Sequence, residues 1–317
     1  MTNQRRKFIK QTALAAAAVS FSNVIAATKS APKLKPYPIN FFTKPLDKYD
    51  SEFMMDTLKM AGIDGLDLTV RPKGCVLPER VENDLPKIIE MAKQKGLTVE
   101  MMVSKITKAD DPLAEKVLPT AAKNGVGHYR LGYYKYDKVL GVRPSIEKIK
   151  SEMEALAELN KSVGIQGGYQ NHAGNWFGAA MWDLAEVLQD IPKAWMSSHF
   201  DIRHAVCEGN KSWVTAMQLL AEKIGSLAIK DFTWDVSARQ SKVKKLPLGE
   251  GIVNFDVFFK NLKTFGVVAP ITLHVEHALL NTEEESLPLL EQQKILVSKL
   301  KADVDFIRQK LAEHQLN

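Results

Sequence analysis

Polar and ionisable residues stand at the end of one short apolar run after another in this 317-residue chain. Leu66 leads into Asp67-Leu68-Thr69-Val70-Arg71, and a later run ends in Gln170-Asn171-His172. Further on come Phe200-Asp201 with His204, Ile229-Lys230-Asp231 and Val275-Glu276-His277. Carboxylates, an ammonium, a guanidinium and imidazoles are the groups of proton transfer and polar-substrate binding. Gathered at successive strand exits, they are how an α/β barrel builds an active site.

The elements that must hold them alternate regularly. Strand-like patterns fall at 38–42, 65–70, 98–103, 128–132, 165–170, 195–200, 226–230 and 270–275. Helical patterns lie near 50–61, 81–95, 112–124, 145–163, 179–189, 212–223 and 254–265, with a last helix over 287–313. Gly62, Gly96, Gly125, Gly164 and Gly225 fall where helices should stop. Eight such units predict a single (β/α)8 barrel over 38–317. A doubly wound sheet fits less well, because no Gly-x-Gly-x-x-Gly turn follows a strand, and no nucleotide cofactor is expected.

Period-two alternation then assigns faces. Aliphatic residues must pack under helices, so the opposite face points inward. The expected inner wall is Asp67, Arg71, Glu100, Arg130, Gln170, Asp201, Lys230 and Glu276, with His199 and His274 one layer deeper as core hydrogen-bonders. Such charges need partners, a metal or a wet cavity. A buried ion-pair lattice accounts for Glu100 and Arg130 better than for the strand-exit groups.

Ahead of the barrel, Arg5-Arg6-Lys7-Phe8-Ile9-Lys10 is a basic segment of twin-arginine type. An apolar stretch from Thr12 to about Phe21 and a small-residue cleavage site at Val24-Ile25-Ala26 follow it. The reading is a signal peptide over 1–27 and a polar linker over 28–37, which places the mature protein in the periplasm. The stretch is too short and Ala-rich for a membrane span. The chain carries 43 basic and 37 acidic residues, a net +6. Loss of Arg5, Arg6, Lys7 and Lys10, with no acid removed, leaves about +2. That gives no electrostatic case for nucleic acid or membrane partners. Cys75 and Cys207 fit either a pair or two free thiols, and no zinc spacing is present.

In order and placement the motifs resemble the sugar phosphate isomerase/epimerase group of xylose isomerase-like TIM barrels. The matching segments are Ala61-Gly62-Ile63-Asp64-Gly65-Leu66-Asp67, Tyr169-Gln170-Asn171-His172 and Phe200-Asp201-Ile202-Arg203-His204. Ile229-Lys230-Asp231, Leu248-Gly249-Glu250-Gly251 and His274-Val275-Glu276 continue the match. The resemblance implies a carbohydrate-like polyol or keto substrate, frequent homodimers and often a divalent metal at the barrel mouth. Family members usually carry Glu-Asn-His where this chain has Gln170-Asn171-His172, and His where it has Ala228. Asp201, Glu276 and the Gln170 amide oxygen would suit Mn²⁺ or Mg²⁺ better than zinc.

The same departures shape the expected chemistry. Gln170 cannot take a proton, which leaves Glu276 as the one family-matched base. Lys230 or a metal would stabilise an enolate oxygen, and His204 would serve as acid or hydroxyl donor. Arg71 and Glu79, on a Pro- and Gly-shaped loop, and Asn171 and His172 would bind substrate; an Arg71–Glu79 brace is the plain alternative. One of Trp176, Trp182, Trp213 and Trp234 could stack on a sugar. Gly249-Glu250-Gly251 makes a poor phosphate cradle, so an unphosphorylated sugar is expected. The function expected is proton abstraction next to a carbonyl, as in a sugar isomerase or epimerase. A lyase or hydratase acting on oxidised (3-keto) glycosides and a non-catalytic sugar-binding barrel are the alternatives. A DNA-repair endonuclease is disfavoured, because the chain has neither a histidine-rich metal cluster nor a basic groove.

Overall fold

A computed structural model describes residues 36–237 and 242–316; the proposed signal peptide and most of the linker lie outside them. The last linker residue belongs to the barrel: Tyr37 is buried, and its hydroxyl donates to the Val267 carbonyl at 2.6 Å.

The chain runs β1 (Ile39–Phe42), α1 (Ser51–Met60), β2 (Gly65–Thr69), α2 (Val81–Gln94), β3 (Thr98–Val103) and α3 (Ala114–Lys123). Then follow β4 (His128–Arg130), α4 (Val142–Val163), β5 (Gln166–Gln170), α5 (Trp182–Leu188) and β6 (Met196–Asp201). Next come α6 (Ile202–Gly209), α7 (Trp213–Leu220), β7 (Ile224–Ile229), and an antiparallel pair, β8 (Asp231–Asp235) and β9 (Lys242–Leu246). α8 (Phe255–Thr264), β10 (Ile271–Leu273) and α9 (Leu289–Glu313) complete it. Eight strands close a parallel barrel in the order β1-β10-β7-β6-β5-β4-β3-β2. Among the described residues no helix is long and apolar enough to cross a membrane.

The alternation works as expected. Ile39, Phe41, Leu66, Leu68, Phe200, Leu227, Ile229, Ile271 and Leu273 are fully buried in the layer beneath the helices. Their neighbours in sequence, Asn40, Asp67, His199, Asp201, Ala228 and Thr272, therefore turn into the barrel.

Several expectations need correction. Glu100 does not join the inner wall opposite Asp67. A register shift pairs Gly65 with Thr98 but Asp67 with Met101, so the extra residue in β3 turns Met101 inward. Its sulfur accepts from Asn40 Nδ2 at 3.5 Å. Gly225 lies inside β7 and ends no helix. A Cβ there would stand 2.3 Å from Ser197 Oγ, so the barrel interior requires a glycine. Arg71, by contrast, stands on the turn after β2, on the loop where the sequence placed it. The sequence reading also assigned no structure to α6 or to the β8–β9 pair.

Candidate active site

The carboxyl ends of β5, β6, β7 and β10 bring four side chains into one chain of contacts. Gln170 Nε2 donates to Asp201 Oδ2 at 2.7 Å. Lys230 Nζ lies 3.0 Å from that same oxygen and 2.9 Å from Glu276 Oε1. Arg203 and Lys245 flank Glu276 Oε2 at 3.7 and 3.5 Å. Asp201 and Lys230 are buried, and the Glu276 side chain is 29% exposed, so Glu276 is the member that meets solvent. Burial alone would raise the Glu276 carboxyl, but the charges of Lys230, Arg203 and Lys245 outweigh it and hold the group down to about 2.

His204 completes the cluster, and its donors fix its tautomer. Asp201 Oδ1 caps α6 by accepting the His204 N–H at 3.0 Å, which turns the ring over the network. The His204 Nδ1 accepts from the Ala173 N–H at 3.1 Å and faces the Arg203 guanidinium at 2.7 Å. A guanidinium only donates, so Nδ1 carries no proton. Burial, with Lys230 and Arg203 nearby, pushes the imidazole well below its usual range, so the ring is neutral. Its proton therefore sits on Nε2, 3.0 Å from Lys230 Nζ. Two donors face each other across that gap and neither can accept from the other.

His204 borders an open cleft of about 560 Å³, lined in part by Phe42, Lys44, His172, Lys245 and Glu276 as well, while Lys230 is buried beside His204 and Glu276. His172 Nδ1 lies 2.9 Å from the Ala173 carbonyl, which places its proton there and leaves Nε2 an acceptor. Tyr133 and Trp176 pack against His172, with ring centroids 4.9 and 6.2 Å away. Of the four tryptophans considered, Trp176 stands beside the site. Trp213 is buried in the core, while Trp182 and Trp234 are exposed elsewhere.

Not every expected residue is brought to the cleft. Asn171, expected to touch substrate, is fully buried. Its amide donates to the Asp201 carbonyl at 3.0 Å and accepts the Asp201 N–H at 2.7 Å, so it pins β5 to β6. Glu79 is exposed on the turn before α2 and forms no ion pair with Arg71. The Gly249-Glu250-Gly251 turn is no anion nest, because the Asp231 carboxylate already accepts from Gly249 and Gly251 N–H at 3.0 and 2.9 Å. Cys75 and Cys207 are both free thiols. Sequence reasoning missed Arg203, Tyr133 and Lys245. Arg203 was signalled within Asp201-Ile202-Arg203-His204, whereas Lys245 depends on the β8–β9 pair.

Deeper in the barrel Asp67 is fully buried. Its Oδ2 accepts from Thr272 Oγ1 at 2.9 Å, and its Oδ1 has no partner. Burial pushes this carboxyl up to about 6, against the Thr272 hydrogen bond and the charges of Arg130 and Arg71. A raised folded-state value means that the native protein holds this proton more tightly than the unfolded chain. The associated stability is present below the unfolded value and is lost as pH rises through about 6. Asp67→Asn is therefore expected to be about 1–3 kcal/mol more stable than the parent at pH 8 and to lose that advantage near pH 4. Urea unfolding at both pH values checks this; an advantage that does not grow with pH contradicts it. His199 and His274 are buried as expected, and His199 Nδ1 meets Ser226 Oγ at 2.7 Å, although each ring leaves Nε2 unpartnered.

A resident divalent ion does not fit the strand-exit donors. Gln170 Oε1 accepts from Arg130 at 2.6 Å and from the Tyr133 hydroxyl, and its amino group faces Asp201. Ala228 offers no ligand atom. Lys230 Nζ stands where a cation shared by Asp201 and Glu276 would have to be, and two cations there would repel. Gln170, Asp201 and Glu276, the residues expected to hold a metal, are thus occupied by protein donors. Among the described residues, Asp256, Glu313 and His314 form a cluster of metal-ligand spacing, but they lie at the surface, with Lys310 bridging Asp256 and Glu313.

The family model for xylose isomerase-like TIM barrels matches residues 55–293. The chain belongs to that family. A solved structure of D-psicose 3-epimerase from Clostridium cellulolyticum H10 with D-tagatose superposes with a TM-score of 0.64 at 12% identity, covering 86% of this chain and 99% of the other. A D-allulose 3-epimerase from Methylomonas sp. gives 0.62 at 17% identity, with 88% and 99% covered. A sugar phosphate isomerase/epimerase from Parabacteroides distasonis gives 0.59 at 15% identity, with 86% and 98% covered. No curated protein matches the chain.

Proposed function

We propose that this chain is a sugar isomerase or epimerase type enzyme that removes a proton next to the carbonyl of an unphosphorylated sugar or keto-sugar. Glu276 is the base. Lys230 Nζ and His204 Nε2 are the electrophile. The observation that carries this reading is the pair of unmatched donors, 3.0 Å apart, with His204 on the cleft wall and Lys230 buried next to it. Lys230 has three N–H bonds and only two carboxylate acceptors, and His204 Nε2–H has none in the resting site. A substrate carbonyl oxygen set between them accepts from both. As Glu276 takes the proton from the neighbouring carbon, the C–H electron pair becomes the enolate double bond. The carbonyl pair moves onto oxygen, where the two donors hold it. Reprotonation at carbon then gives the isomer or epimer.

Glu276, with a proton affinity as low as about 2 implies, is a weak base. Abstraction therefore depends heavily on how tightly the enolate is held. His204→Leu, which removes one donor, is expected to lower kcat by about 100-fold or more with a small change in KM. Steady-state kinetics on a ketohexose or 3-keto-glycoside checks it; a kcat within threefold of the parent contradicts the role of Nε2–H.

A second reading draws on the fixed amide of Gln170, which leaves no carboxylate opposite Glu276 for a symmetric two-base exchange. One base suits β-elimination from, or hydration of, a 3-keto glycoside. Product analysis by NMR separates the two, since elimination yields an unsaturated sugar and a released aglycone. The twin-arginine-type segment supports a periplasmic location for either activity, which cell fractionation tests.

A further inference from the structure

We infer that the paired guanidiniums of Arg71 and Arg130 form a carboxylate subsite, so that the cleft takes an acidic sugar (a uronate, an aldonate or a keto derivative of one). The inference rests on the proposed sugar-binding cleft and names its substrate class.

The two guanidinium carbons lie 5.6 and 5.9 Å from the centroid of the Phe42 ring, and Phe42 lines the cleft. Among the described residues Arg71 makes no side-chain hydrogen bond and no ion pair, and its buried Nε has no partner. Arg130 is 7% exposed; one of its terminal nitrogens serves Gln170 and Tyr133, while its Nε is likewise buried and unpartnered. Two cations, each with an unpartnered Nε, thus pack against the one Phe42 ring, and burial together with the charge of Arg130 lowers the proton affinity of Arg71. The nearest acids, Asp47 and Asp67, favour the charge of Arg71 only at a distance. Asp67 forms no ion pair with either, and Asp47 Oδ1 is engaged by Cys75 Sγ at 2.9 Å and Thr69 Oγ1 at 3.0 Å.

The loop holds Arg71 in place before any ligand arrives. Arg71 N–H donates to the Val76 carbonyl at 3.1 Å, and Gly74 N–H returns to the Arg71 carbonyl at 2.9 Å. Cys75 and Val76 N–H bind Thr69 at 2.9 and 3.0 Å. A Cβ at Gly74 would come 2.7 Å from the Thr69 carbonyl, so the turn closes only with glycine there. A rigid fork of planar donors over a ring matches a planar carboxylate in charge and shape. A phosphate would call for backbone N–H groups as well, and those of the Gly249–Gly251 turn are filled by Asp231. Arg130 also leads through Gln170 and Asp201 to Lys230, so the subsite and the proposed electrophile share one hydrogen-bonded chain.

Calorimetric titration of the folded protein with galacturonate and glucuronate, against the parent hexoses and hexose 6-phosphates, tests this. Uronates are expected to bind at least about tenfold tighter than the neutral hexoses. Arg71→Gln should reduce that ratio to near one and Arg71→Lys to an intermediate value, whereas Lys73→Gln, the same charge change on an exposed neighbour, should keep it. Equal binding of acid and neutral sugars overturns the carboxylate subsite and leaves the sugar cleft standing. So does a preference for phosphates, a preference that survives Arg71→Gln, or one that Lys73→Gln also removes. Failure of every sugar to bind overturns the cleft reading itself.

Discussion

Replacing Lys230 by methionine is expected to lower kcat/KM about a thousandfold or more and to destabilise the fold by about 3–5 kcal/mol. Both effects follow from one nitrogen. Lys230 Nζ is the sole cation within 3.0 Å of both Asp201 and Glu276 among the described residues, and in the proposed mechanism it supplies a donor for the enolate oxygen. Methionine fills the space but leaves Asp201 buried without its counter-charge. Lys230→Arg separates the two effects. Its charge should restore much of the stability, while the longer planar fork displaces the enolate and activity stays low. Kinetics and urea unfolding on both variants check this; a Lys230→Met protein within tenfold of the parent in kcat/KM contradicts the role of the ammonium.

Glu276→Gln is expected to abolish measurable turnover while fold and ligand binding survive. General-base loss is worth about 10²–10⁴ in rate, and among the described residues the other carboxylate paired with Lys230 is the fully buried Asp201. The pH dependence follows from the same environment. A folded-state value held down to about 2 keeps Glu276 ionised throughout the working range. Its stabilising ion pair is present above the unfolded carboxylate value and is lost as pH falls towards 2. The activity of the parent should therefore show no acid inflection from Glu276 between pH 4 and 7. In Lys230→Met the largest lowering charge is gone, so such an inflection should appear in the residual rate. Retained turnover in Glu276→Gln, measured on a protein shown to bind sugar, removes Glu276 as the base.

Much of this architecture was legible in the sequence because strand alternation carries a strong physical signal. Leu66, Leu68, Leu227, Ile229, Ile271 and Leu273 must pack under helices, which turns Asp67, Lys230 and His274 inward. Lys230 and Glu276 were readable as partners for the same reason. The departures from the family's ligand pattern at Gln170 and Ala228 were visible too, but the placing of Lys230 Nζ between Asp201 and Glu276 was not. That Lys230 would lie 3.0 Å from Asp201 depends on how β6 and β7 pair, and a register shift sits between Ser198 and His199. The placement of Glu100 failed on a similar shift in β3, since one extra residue reverses the face of everything beyond it. Asn171 could not be assigned from its type, because an amide that mimics backbone looks in sequence like one that binds sugar. The tautomer of His204 is set by Ala173 and Arg203, one of them a backbone group from another loop. Lys245 reaches Glu276 only through the β8–β9 pair, whose Lys-rich β9 strand is largely exposed and so carries no clear hydrophobic pattern.

Hydrogen–deuterium exchange at the carbon next to the carbonyl tests the central claim most directly. The protein is exhaustively chelated, shown by elemental analysis to hold no divalent metal, and followed by NMR in D₂O with ketohexoses and 3-keto-glycosides. Exchange at the same rate before and after chelation, and lost in Lys230→Met, is the result expected if the ammonium holds the enolate. Exchange that disappears on chelation and returns with Mn²⁺ or Mg²⁺ would mean that a metal, and not Lys230, is the electrophile.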